Sequence, residues 1–290
     1  MKPRSPLWAG TQILVLTGIL VLLASACVRQ RSSDSRIDVG GYRLHVHQSG
    51  SGTPVVIFES GMGEDLSTWK DVQPEVATLT STLSYDRAGL GQSEPSTSSR
   101  PRDTDQLALE LRTLLKATKQ PGPYVLVGHS LGGAVIQVFA HAYPSEAAGL
   151  VLVDPGDGRL DALLRVKLPA DTWSARQKAL EDEMPKIPLP VRREYEALNL
   201  SGDEASGAFP LPAIPVILLT GTQKNPEFPG NPIEQDLKRG LHDALAAKVP
   251  GIKHVLVPES RHYIQTDAPE RVIAAIRDVI GTVRAAQSTR

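Results

Sequence analysis

Hydrophobic and polar positions follow two alternating rhythms from about residue 37 onward. Short runs rich in Val, Ile and Leu recur at 43–48, 55–59, 82–86, 124–128, 149–154, 216–220 and 254–258. Most are continuous, which predicts strands covered on both faces. Between them, residues 104–116, 131–143, 233–248 and 269–283 predict helices. In the first of these, Leu107, Leu111, Leu114 and Leu115 share one face at the 3.6-residue period. Asp103, with Gln106 three residues later, resembles a capping box with Asp in place of Ser or Thr. Alternating strands and helices predict an α/β fold, a mostly parallel central sheet with helices on both faces. Residues 37–48, split by Gly40-Gly41, predict an antiparallel hairpin ahead of that sheet.

The rhythm breaks between Pro155 and Pro212, where Pro169, Pro185, Pro188, Pro190 and Pro210 also fall. Amphipathic stretches at 172–183 and 191–198 lie between the prolines. This segment reads as a helical cap inserted over the sheet at 155–212, dividing the core into 37–154 and 213–290. There is no internal repeat.

The chain begins differently. Lys2 and Arg4 precede an apolar run from about Ile13 to Ala26, with no further charge before Arg29. A basic start followed by a short apolar run reads as a secretory signal. The run is short for a membrane-spanning helix, and an uncleaved anchor is the alternative. Leu23-Ala24-Ser25-Ala26-Cys27 resembles the lipobox of bacterial lipoproteins, with Ala24 where leucine is commoner. That resemblance implies removal of residues 1–26, lipid on Cys27, and a membrane partner reached through the lipid anchor at the bacterial cell envelope. Residues 27–36 then read as a polar tether.

Composition narrows the function. The chain has 290 residues, net charge −1 and 4% aromatics. It therefore carries no basic footprint or aromatic platform for nucleic acid. Loss of Lys2 and Arg4 with the leader, and of no acid, leaves 29 basic against 32 acidic residues and a charge of −3. Attraction to anionic lipid would not hold such a protein at a membrane. Cys27 is the only cysteine, which excludes an intramolecular disulfide and the usual Cys/His zinc site.

Gly128-His129-Ser130-Leu131-Gly132 fits G-x-S-x-G. An apolar strand run precedes it and a helix run follows, the context in which a serine is lifted above the edge of a sheet. In this context the chain resembles the α/β-hydrolase superfamily over nearly all of residues 37–283. Val55-Val56-Ile57-Phe58-Glu59-Ser60-Gly61-Met62-Gly63, with Trp69 beyond, is similar to the family's strand and oxyanion loop, with Ser60 where many members have His. Tyr85-Asp86-Arg87-Ala88-Gly89-Leu90-Gly91-Gln92-Ser93 is similar to its D-x-x-G-x-G-x-S turn, which implies structure rather than chemistry.

The resemblance implies Ser130 as nucleophile and an oxyanion hole from the backbone N–H groups of Leu131 and Met62. His262, in a loop after the last strand run, matches the family's terminal histidine segment, with Arg261 replacing the usual glycine. Of the other histidines, His45 and His47 read as solvent-facing, and His129, His141, His242 and His254 as structural. The acid that orients the base is open. The family's commonest place, the loop after 216–220, lacks an aspartate near Lys224; its nearest acid is Glu227, and Asp236 lies further on, in a helix run. The alternative place, the end of the preceding strand run, presents Asp154. Asp154 ranks first, Glu227 second and Asp157 third, with Asp86 weaker.

These residues imply a serine hydrolase, with an ester hydrolase acting on a small acyl substrate as the leading reading. No metal or organic cofactor is called for. Amide hydrolysis, acyl transfer and a non-catalytic envelope protein on the same fold remain alternatives.

Overall fold

The computed structural model describes residues 32–98, 100, 102–200, 210–224 and 231–289. The leader, Cys27 and Glu227 lie outside the described residues. Eight strands form one sheet: β1 (Ser32–Asp38), β2 (Arg43–Ser49), β3 (Val56–Glu59), β4 (Thr82–Tyr85), β5 (Tyr124–His129), β6 (Ala147–Val153), β7 (Val216–Gly221) and β8 (Lys253–Val257). Their order is β1-β2-β4-β3-β5-β6-β7-β8. Pairing is antiparallel for β1–β2 and β2–β4 and parallel from β4 through β8. This is the α/β-hydrolase fold.

The expected hairpin begins earlier than the side-chain pattern indicated. Residues 32–36, read as part of a tether, form most of β1, pairing from Ser32↔Ser49 to Asp38↔Arg43. An edge strand with little buried side-chain surface needs no apolar alternation. Its main-chain hydrogen bonds, which no side chain announces, define it.

Strand alternation divides the core in two. On β5, Leu126 joins a cluster with Leu107, Leu111 and Phe139, whereas Val125 and Val127 join one with Trp69, Ile276 and Val279. The first face is covered by α2 (Thr104–Thr118), α3 (Leu131–Ala142) and α7 (Asn231–Lys248). The second is covered by α1 (Gln73–Ala77) and α9 (Pro269–Ser288). The side chain of Asp103 caps α2 by accepting from Gln106 N–H at 2.8 Å. Between β6 and β7 run α4 (Leu160–Lys167), α5 (Ala170–Glu183) and α6 (Leu189–Leu200). α6 is tied to the core through Glu194, which accepts from Arg87 Nε at 2.8 Å.

Candidate active site

Ser130 stands between the end of β5 and the start of α3, with φ 51° and ψ −119°. Only three described non-glycine residues have positive φ: Lys119, Ser130 and Asp154. Backbone in this region costs on the order of 1–3 kcal/mol and persists where the surroundings impose it. Here they do. Ser130 N–H donates to Val153 O at 3.1 Å, and Ser130 O accepts from the N–H groups of Gly133 and Gly156 at 2.9 Å. A Cβ on Gly128 would lie 2.4 Å from Gly132 O, and one on Gly132 would lie 2.3 Å from Glu59 O. The turn therefore closes only with glycine at both positions.

His262 follows β8 and precedes the short helix α8 (Ile264–Asp267). Its Nδ1 lies 2.6 Å from Asp154 Oδ2. An ionised carboxylate only accepts, so Nδ1 carries the proton and Nε2 is the basic nitrogen. Asp154 is fully buried at the end of β6. Burial by itself would raise its pKa; the His262 hydrogen bond and the Lys238 charge hold it down at about 2. Its Oδ1 accepts from Gly221 N–H at 2.9 Å, and its Oδ2 also accepts from Lys238 Nζ at 2.5 Å.

The other acids are placed differently. Asp157 pairs with Arg159 at 2.7 Å. Asp236, on α7, pairs with Lys224 at 2.9 Å. Asp86 holds its turn by accepting from Leu66 N–H and Gln92 N–H, each at 2.8 Å. It also contacts Nδ1 of His45 at 2.8 Å, and His45 is buried rather than solvent-facing. Alternation sets His45 on the face of β2 opposite Leu44 and Val46, and there Asp86 supplies a buried carboxylate partner. His242, on α7, is held by Thr220 Oγ1 at 2.7 Å and Pro155 O at 2.9 Å.

Ser130 and His262 line one cavity of about 370 Å³, together with Met62, Leu131, Leu160 and Leu241. Leu131 is the first residue of α3, so its N–H belongs to the set without a partner inside the helix. In the loop after β3, Gly61 N–H donates to Glu64 at 2.8 Å and Gly63 N–H to Glu194 at 3.4 Å. Met62 lies between them at the cavity. Arg87 holds this loop from behind, donating to Ser60 O and Gly61 O at 2.6 Å.

Three residues that the sequence did not single out belong to this architecture. Glu64 accepts from Gly61 N–H and lies 3.0 Å from Nδ1 of buried His129. The other ring nitrogen of His129 donates to the backbone carbonyl of His262 at 3.0 Å. Although burial opposes it, the His129 ring beside its carboxylate keeps Glu64 below the usual carboxylate range. One carboxylate thus links the loop after β3, the serine turn and the histidine loop. Lys238 was missed as well, although Gln235, Lys238 and His242 are polar positions on the buried side of α7. Glu194 reaches the site from the cap, and nothing local marks its partner. Among the described residues, no group of three His, Cys, Asp or Glu side chains could hold a metal ion.

The model of the alpha/beta hydrolase family matches residues 50–275. The uncharacterised protein YqjL of Bacillus subtilis is 26% identical, covering 83% of this chain and 89% of its own length. The 2-(acetamidomethylene)succinate hydrolase of Mesorhizobium japonicum is 26% identical, covering 84% and 94%. The crystal structure of a putative lipase from Acinetobacter baumannii superposes with a TM-score of 0.63 at 19% identity, covering 88% and 93%. At that identity the likeness is one of fold.

Proposed function

The chain belongs to the alpha/beta hydrolase family, and on that premise we propose that it is a serine hydrolase of carboxylic esters. The observation that carries the reading is one constellation. A strained Ser130 shares a cavity with His262, whose Nδ1 is bound to the buried carboxylate of Asp154.

In this reading Ser130 Oγ adds to the ester carbonyl carbon as its proton passes to Nε2 of His262. The carbonyl oxygen becomes an oxyanion that accepts from the N–H groups of Met62 and Leu131, at the positive end of α3. Collapse breaks the bond to the alcohol oxygen, which takes the proton from His262. Water then gives a proton to His262 and adds to the acyl carbon; a second collapse frees the acid and returns the proton to Ser130. Asp154 keeps the proton on Nδ1 and holds the ring in its orientation. No external acceptor of electrons or protons is required. A cavity of about 370 Å³ bordered by Leu131, Ala134, Pro155, Leu160 and Leu241 suits a small, largely apolar acyl ester.

Amide hydrolysis by the same groups is the second reading. It is favoured by the relative whose name specifies 2-(acetamidomethylene)succinate. A lipid on Cys27 would hold either enzyme at the bacterial envelope.

The test is covalent labelling of Ser130 by a fluorophosphonate, followed by turnover of short activated esters and matched amides. Labelling that is absent, or undiminished in Ser130→Ala, would overturn the proposal; ester turnover lost in Ser130→Ala supports it.

A further inference from the structure

The carboxylate that orients His262 has a second strong partner. Lys238 Nζ lies 2.5 Å from Oδ2 of Asp154, the same oxygen that accepts from His262 Nδ1 at 2.6 Å. The lysine side chain is only 10% exposed, and it borders the cavity that holds Ser130. We propose that Lys238 is a positioning residue of this site: it locks the Asp154 carboxylate and balances its charge, extending the Ser130 reaction towards acid pH. The inference rests on the serine-hydrolase reading.

The physical reason is the charge that the imidazole faces. An isolated aspartate favours imidazolium, and an imidazolium cannot take the serine proton. An aspartate already paired with an ammonium presents almost no net charge, so protonation of the ring gains less. The geometry is fixed at the same time. With Oδ1 held by Gly221 N–H and Oδ2 by Lys238, the carboxylate cannot rotate away from Nδ1.

The surrounding ionisable groups leave this role to Lys238. On α7, burial pushes His242 below its usual value, towards the neutral ring, and Glu234 is engaged by Arg176 at 3.2 Å. From β5, His129 is matched by Glu64. From the loop after β6, Asp157 is matched by Arg159. On the loop of His262 itself, Asp267 accepts from Arg261 N–H and from Ser260 Oγ, and Tyr263 is held above its ordinary value by burial. Lys238 alone among these places its charge on the oxygen that His262 uses.

The experiment measures the second-order rate of Ser130 inactivation by a fluorophosphonate across the mildly acidic to mildly basic range. Full-length wild type is compared with Lys238→Met, Lys238→Gln and Lys238→Arg. Lys238→Gln keeps a donor for Oδ2 without the charge, so the pair remains testable if Lys238→Met does not fold. The acid limb of the neutral variants should move up by about one pH unit, the low end for an opposite charge in contact. Lys238→Arg should follow the wild type. Neutral variants that keep the wild-type limb would overturn the role of Lys238 alone. A wild type that does not label would overturn the hydrolase reading beneath it.

Discussion

Asp154 Oδ2 and His262 Nδ1 lie 2.6 Å apart across 108 residues of chain. The acid ends β6 and the histidine follows β8, with β7 between them. Gly221 N–H, from the end of β7, closes the gap by binding the other carboxylate oxygen.

If this pair works as proposed, Asp154→Asn will keep the fold and lose most turnover. The worked serine-protease case loses about 10⁴-fold in kcat when its aspartate becomes asparagine. The unpaired Lys238 left behind makes a loss of that order the expectation here. Glu227→Gln is expected to be mild. Steady-state kinetics with circular dichroism on each variant decide it; the reverse ranking would move the acid to the later loop.

Glu64 and His129 set a different expectation. They bind the loop before Met62 to the carbonyl of His262 rather than touching substrate. Glu64→Gln weakens both ends, and misplacement by about 1 Å can cost on the order of 10²-fold. A fall in kcat of about 10- to 100-fold, with a smaller change in KM, is expected. A kcat close to wild type would remove this pair from the account.

Buried charge makes stability depend on pH. Glu59, Glu110 and Glu194 face Arg87 and Arg102 in the ion network beneath the cap. Burial pushes Glu59 up to about 7 from its ordinary 4.5, against the opposing influence of Arg87 and Tyr85. With the folded value raised, the native state binds more protons than the unfolded chain between these two values. The contribution is therefore fully present below 4.5 and is lost as pH rises through about 7. Its size is at most about 3 kcal/mol. Urea midpoints measured on both sides of that window should fall with pH in wild type and fall less in Glu59→Gln.

The lipid-anchor proposal is tested at Cys27. Cys27→Ser should block lipidation and shift the protein from the membrane to the soluble fraction, leaving Ser130 labelling intact. A variant that stays with the membrane after removal of the leader would refute the anchor while sparing the hydrolase.

Local signals identified the strands that carry the site. Continuous apolar runs mark β3 and β5 to β7 because these strands are covered on both faces, and the period of α2 marks its buried side. The glycines around Ser130 were legible for a related reason: only that spacing permits a strand to turn into a helix through a strained serine. Asp154 could be ranked first because a carboxylate ending a buried strand must lie at the edge where the serine emerges. The start of edge strand β1, residues 32–36, was not legible, since its ladder uses main-chain groups that every residue has. His45 was misread because alternation cannot reveal a buried partner such as Asp86. Lys238, Glu64 and Glu194 are ordinary polar residues in their own segments. Their roles arise from contacts across 84, 65 and 107 residues of chain. Only tertiary packing decides such contacts, because a charge becomes part of a site when burial removes water and leaves neighbouring protein groups to satisfy it.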